Sequence, residues 1–95
     1  MSKQLADTTY RILDNALAQS NTGKTKKALE NLAKAEKLSI QVKRPDYLCT
    51  TFMLRGRALL AENRDEEALE EFQRMMELAV SIFLDAPEDP VYQYY

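Results

Sequence analysis

Apolar residues recur every three or four positions along most of this chain, which is the period of an α-helix. Leu5, Tyr10, Ile12, Leu13, Ala16 and Leu17 predict a first helix from about Lys3 to Ser20. Ser2 is placed to cap it by accepting a free backbone N–H. Asn21-Thr22-Gly23 then reads as a turn, with Gly23 supplying the left-handed conformation that ends a helix. Ala28, Leu29, Leu32, Ala35 and Leu38 predict a second helix, about Lys24 to Gln41, with lysines 24, 26, 27, 34 and 37 along its solvated edges. Pro45 cannot continue that helix but suits the first turn of a new one. The third helix runs to about Glu62, with Leu48, Phe52, Leu59 and Leu60 inward. Asn63-Arg64-Asp65 turns the chain, and Asp65 is the expected cap of the fourth helix, about Asp65 to Leu84. Leu69, Phe72, Met75, Met76, Ala79, Val80 and Phe83 mark that helix. Acids at 65, 66, 67, 70 and 71 crowd its first two turns, where the helix dipole favours negative charge. Ala86-Pro87 ends it, and Pro90 opposes any continuation.

The pattern repeats at an offset of 40 residues. Ala18 matches Ala58, Ala28 matches Ala68, Leu29 matches Leu69, Glu30 matches Glu70 and Leu38 matches Leu78. Ile12 with Phe52, Leu13 with Met53, Leu32 with Phe72 and Ala35 with Met75 are alike in kind, and Gly23 and Asn63 share one turn position. Two antiparallel helices joined by a short turn leave one side apolar, and a second copy covers it. Small residues at Ala16/Gly56 and Ala28/Ala68 allow close backbone approach, and Leu32/Phe72 fill the adjoining gap. The expected fold is all-α: two antiparallel helix hairpins, four helices in all, stacked within a single domain of residues 1–95. The first repeat covers about 3–41, a linker 42–45, the second repeat 46–84 and a short C-terminal tail 85–95.

Gly56-x2-Leu59 followed by Ala68-x3-Phe72-x2-Met75 resembles the tetratricopeptide repeat family, and Ala28-x3-Leu32-x2-Ala35 after Gly23 is its weaker echo. The interval from Gly56 to Ala68 is that of the family pattern, and Ala16 to Ala28 repeats it; Ile12 and Phe52 stand where the pattern prefers a large aromatic. The resemblance covers roughly residues 8–82. Two features depart from it. The period exceeds the family's by about six residues, which fall around Gln41–Asp46. Pro45 and Pro87 also come late, so both second helices are expected to run a turn or more longer than usual. A plain four-helix bundle is the alternative architecture.

The resemblance implies a concave groove, lined by the first helix of each unit, that holds an extended or helical peptide. Periodicity agrees with a division of faces. Residues 12, 16 and 19 are expected to face the partner helix, leaving Tyr10, Leu13, Leu17 and Ser20 as a second stripe. Thr50, Met53, Arg57 and Leu60 are its counterparts on the third helix. The candidate groove is therefore Tyr10, Leu13, Leu17, Thr50, Met53, Arg57 and Leu60, with Arg57 pairing a carboxylate of the guest. Alternatively these residues simply pack the first helix on the third. Some family members grip a peptide's terminal carboxylate with Lys and Asn. Here Leu13 and Leu17 occupy those places, so that mode is not expected.

The fourth helix carries an apolar arc too wide for one neighbour, and repeat arrays normally end in a helix with a polar outer face. A second copy of the chain, or the tail Val91-Tyr92-Gln93-Tyr94-Tyr95, could cover the excess. Candidate self-association residues are Met76, Val80, Phe83, Tyr92, Tyr94 and Tyr95. A protein or peptide partner, and a candidate homodimer, are thus the expected partners. An adaptor is the first functional reading, and a homo-oligomerising structural protein or assembly subunit is the second.

Charge and composition narrow the field further. The net charge of -2 divides into +4 over residues 1–46 (nine Lys/Arg, five Asp/Glu) and -6 over 47–95 (four and ten). A chain without an overall basic surface gives little reason to expect nucleic acid. No apolar run approaches a membrane span, and the N-terminus lacks the apolar stretch of a signal peptide, so no membrane association is expected. Cys49 is alone and cannot form an internal disulfide, which suits a reducing compartment; with no signal-like N-terminus the chain is expected to be cytoplasmic and full length. With no histidine the commonest general base and the commonest metal ligand are missing, and one cysteine cannot make a zinc site; no cofactor is expected, no catalytic residue is nominated, and the chain is not read as an enzyme. Gly23-Lys24-Thr25 has Ala18 where a phosphate loop needs glycine. Arg55 and Arg57 are expected to be solvated, and Cys49 to be a small buried hydrophobe.

Overall fold

The structure, a computed structural model, describes residues 2–85. It comprises α1 (Ser2–Asn21), α2 (Thr25–Gln41), α3 (Pro45–Ala61) and α4 (Asp65–Asp85), with no strand among the described residues. Ser2 is the first residue of α1; its side chain lies outside the described residues. The helices form two stacked hairpins. α1 pairs with α2 and α3 with α4, while α3 also rests on α2 and α1.

All three turns use one device. Gly23, Lys43 and Asn63 adopt φ of 79°, 56° and 61°. Each allows the next N–H to reach back five residues: Lys24 donates to Gln19 O (2.8 Å), Arg44 to Ser39 O (3.0 Å) and Arg64 to Leu59 O (2.9 Å). These are Schellman closures, which satisfy the last carbonyls of each helix. The turn between hairpins is thus no longer than those within them. The surplus length expected around Gln41–Asp46 lies in the helices instead, since only Val42, Lys43 and Arg44 separate α2 from α3. Lys43 gave no sequence signal, because lysine has no preference for left-handed backbone. Asp65, predicted to cap α4, is inside the helix: Ala68 N–H donates to Arg64 O, so the cap position is Arg64, which pairs with Glu67.

One buried cluster joins the hairpins. Leu13 and Ala16 of α1, Leu32 and Ala35 of α2, and Leu54 of α3 pack together, with Ile12, Leu17 and Tyr47 against them. Burying such side chains is worth about 1.5–3 kcal/mol each before entropy is counted. In the second hairpin Gly56 lies under the Phe72 ring, where a Cβ would stand 2.6 Å from the ring edge. Leu60, predicted inward, is 46% exposed; it sits beyond the faces of α3 that meet α2 and α4. Leu54, which the prediction passed over, takes the central place. Buried Thr9, Ser39 and Thr51 each satisfy their hydroxyl by donating to the carbonyl four residues earlier, at 2.6–2.9 Å.

Arg55 corrects another expectation. Its side chain is 16% exposed and joins three helices: Nη1 donates to Glu71 Oε1 on α4 (3.0 Å), and Nη2 to Glu36 Oε1 (2.6 Å) and Leu32 O (3.4 Å) on α2. Arg55 stands at helical spacing between buried Thr51 and Ala58, so the face that carries it is interior. Glu71, grouped with the exposed acids by sequence, lies between Ala68 and Met75 on the inner face of α4 and is buried. Arg57, by contrast, is exposed as expected.

Candidate functional site

α1 and α3 lie side by side and leave a cleft of about 240 Å³ between them. Tyr10, Leu13, Leu17, Thr50, Met53 and Arg57 line it, so all but Leu60 of the predicted groove residues come together. Leu60 is one turn past Arg57 and does not reach the cleft. Three further residues complete the lining: Asp14, Tyr47 and Leu54. Their signal was present in the spacing, since 10, 14 and 17 share one face of α1 and 47, 50, 54 and 57 one face of α3.

The lining residues are not equivalent. Leu13 is almost fully buried and belongs to the hydrophobic cluster, and Leu17 packs partly against it, so both form the floor and hold α1 to α3. Tyr10 is 59% exposed and Met53 36%, and they form the rims. The two charges stand on opposite walls, Asp14 on α1 and Arg57 on α3, and neither enters an ion pair among the described residues. Thr50 donates its hydroxyl to Asp46 O (3.1 Å), which fixes its rotamer.

The Arg44 guanidinium lies over the Tyr47 ring, 4.1 Å from its centroid. Arg44 also donates to both carboxylate oxygens of Asp46, from Nε at 2.9 Å and Nη2 at 2.7 Å. That fork holds the Asp46 carboxyl below the usual carboxylate range and pushes the guanidinium up. Cys49 is half-buried beside α4, with Sγ 3.9 Å from Met75 O; burial first, then the Asp46 charge, raises its thiol pKa. This makes it a poor nucleophile. Among the described residues no group of three or more His, Cys, Asp or Glu side chains is placed to hold a metal.

On α4, Leu69, Met76, Val80 and Leu84 are exposed. Of the candidate self-association residues, Met76 and Val80 therefore lie on the surface, whereas the Phe83 side chain and Tyr92, Tyr94 and Tyr95 lie outside the described residues. No helix among the described residues is long and apolar enough to cross a membrane. Compared with family models, curated proteins and solved structures, the chain matches none.

Proposed function

We propose that this chain is a protein–protein interaction module, of tetratricopeptide-like build, whose α1–α3 cleft receives a peptide or partner helix. The observation that carries the reading is the lining: an apolar floor with one unpaired charge on each wall. Floors of this kind supply area, and a few placed polar groups supply orientation. Arg57 selects a carboxylate and Asp14 a cation on the guest, which fixes the direction in which a peptide lies. The same lining suits binding, because most of it is apolar and offers area to a guest.

The test is selection of peptides from a random displayed library on the purified chain, followed by affinity measurement on wild type and Arg57→Glu. Selected peptides should combine apolar residues with a carboxylate, and should lose about tenfold in affinity on the variant. A set of binders indifferent to Arg57→Glu and to Leu17→Lys would refute the cleft.

A second reading, self-association through α4, is favoured by the exposure of Leu69, Met76 and Val80. It is opposed by charge. α4 carries Asp65, Glu66, Glu67, Glu70, Glu71, Glu77 and Asp85 against Arg74 alone, and copies of it repel.

A further inference from the structure

The 40-residue repeat shows what the open side of the second hairpin is shaped to hold. On the first hairpin that side is occupied by α3, whose Leu54 joins Leu13, Ala16, Leu32 and Ala35. Forty residues on, the same places are Met53, Gly56, Phe72 and Met75. Gly56 is covered by the Phe72 ring, but the other three are more open than their counterparts: Met53 is 36% exposed where Leu13 is 5%, and Phe72 and Met75 are half-buried where Leu32 and Ala35 are fully buried. The outer edge follows suit. Leu29 is half-buried, and its counterpart Leu69 is exposed; Glu36 meets Arg55, and its counterpart Met76 is 61% exposed.

The opposite end of the stack is closed. The α3 residues that enter the first hairpin include Thr51, Leu54, Arg55 and Ala58; their counterparts on α1 are Arg11, Asp14, Asn15 and Ala18, all exposed. Asp14 in the place of Leu54 cannot seat in an apolar hole without losing its hydration. A second copy therefore cannot stack head to tail. Two open faces placed together would align Glu66, Glu70 and Glu77, which run beside the apolar stripe of α4 on exposed positions.

We infer that the α3–α4 face is the seat of a fifth helix supplied by a partner protein, an amphipathic helix with an apolar stripe flanked by Lys or Arg. The shape of the seat calls for a helix, because a helix fills its equivalent in the first hairpin. The acidic flank calls for positive charge. The change from Glu36 to Met76 further specifies that the guest carries an apolar residue where α3 carries Arg55. This surface is separate in chemistry from the α1–α3 cleft, sharing only Met53 on the ridge between them.

The probe is a synthetic 17-residue helix, the length of α3, with Leu at the counterparts of Thr51, Leu54 and Arg55, Ala at that of Ala58, and Lys on both flanks. A matched peptide carries Glu on the flanks. Fluorescence anisotropy on the full chain should show micromolar binding of the Lys peptide and at least about tenfold weaker binding of the Glu peptide. Met76→Glu and, separately, Leu69→Asp should each weaken the Lys peptide by about tenfold or more, while Ile40→Glu, at an exposed position on α2 outside both surfaces, leaves it unchanged. Both substituted positions are exposed, and circular dichroism checks that the variants fold. Equal binding of the two peptides, or none, overturns the inference. So does sedimentation equilibrium that shows a dimer abolished by Met76→Glu, since the occupant is then a second copy.

Discussion

Ala16 with Leu32 in the first hairpin becomes Gly56 with Phe72 in the second, and this exchange of volume gives a prediction whose sign depends on context. A Cβ added at Gly56 would lie 2.6, 2.7 and 3.0 Å from three carbons of the Phe72 ring. Carbon pairs prefer about 3.5–4.0 Å, so the ring must retreat by roughly 1 Å. Overpacking of this kind costs about 1–3 kcal/mol. Alanine in place of a mid-helix glycine returns about 1 kcal/mol. Gly56→Ala should therefore destabilise the chain by about 1 kcal/mol, seen as a fall in Tm of roughly 4–8 °C.

In a Phe72→Leu background the ring edge is gone and the pair reproduces Ala16 with Leu32. There the same Gly56→Ala should stabilise by about 1 kcal/mol, because only the helix preference remains. The coupling between the two positions is then about 2 kcal/mol. Urea unfolding of the four proteins, followed by circular dichroism, measures it. The same sign in both backgrounds, or a coupling under about 0.5 kcal/mol, would refute the claim that ring contact with the Gly56 backbone sets the spacing of α3 and α4.

Substitutions at Arg55, at two of the turns and at Asp46 test the remaining structure. Arg55→Met removes both neutralising hydrogen bonds and leaves the buried Glu71 with only Arg74, at 3.4 Å; a loss of about 2–3 kcal/mol is expected, and Arg55→Met/Glu71→Leu should recover most of it, whereas a double variant no better than the single one argues against the network. At the turns, Lys43→Gly should stabilise by about 0.5–1 kcal/mol and Gly23→Ala destabilise by about 1 kcal/mol, because both positions are left-handed and no atom lies within 4 Å of a Cβ at Gly23; thermal melts moving in the same direction would contradict the assigned φ values. Asp46→Asn should weaken the chain at neutral pH. Asp46 has its folded pKa depressed by Arg44, so its contribution is present above the ordinary carboxylate pKa and disappears as pH falls through the folded one; wild type and variant should converge in acid, and a gap that persists there would show the effect is not ionic.

How much was legible in the sequence depends on the kind of residue. Helix positions were readable because Leu, Ala and Met at helical spacing admit no other regular structure when glycine and proline are this scarce. The cleft was readable for the same reason, since a stripe on α1 and its echo on α3 must face one another if the hairpins stack. Arg55, Glu71 and Lys43 were not. A buried arginine between two glutamates looks like surface charge until the helices that supply its partners are packed, and a lysine forced left-handed carries no mark of the turn it closes. In each case the tertiary or hydrogen-bonding context overrode the residue's usual habit. Arg55 and Glu71 still betray themselves in register: each falls on an inward-facing row, Thr51–Arg55–Ala58 and Ala68–Glu71–Met75, where a solvated charge has no place.

The twenty-residue cadence of the left-handed positions, 23, 43 and 63, bears on how the molecule separates its surfaces. Equal turns return each helix antiparallel to the last, so that α1 and α3 share one side and α2 and α4 the other. The α3 wall of the cleft is the one held from several sides, because α3 touches every other helix and Arg55 ties it to both α2 and α4. Leu54 on one face of α3 completes the core under the cleft, and Gly56 on another seats Phe72 and sets the approach of α4. A guest in the cleft and a helix on α4 would thus both press on α3 from different sides. If α3 moves as a rigid body, occupation of one surface must alter the affinity of the other by the same factor in both directions. Peptide titrations of the cleft, with and without the Lys-flanked helix bound, would show equal and reciprocal shifts; affinities that stay independent would mean that α3 is held too firmly by Arg55 and the Leu54 cluster to carry the signal.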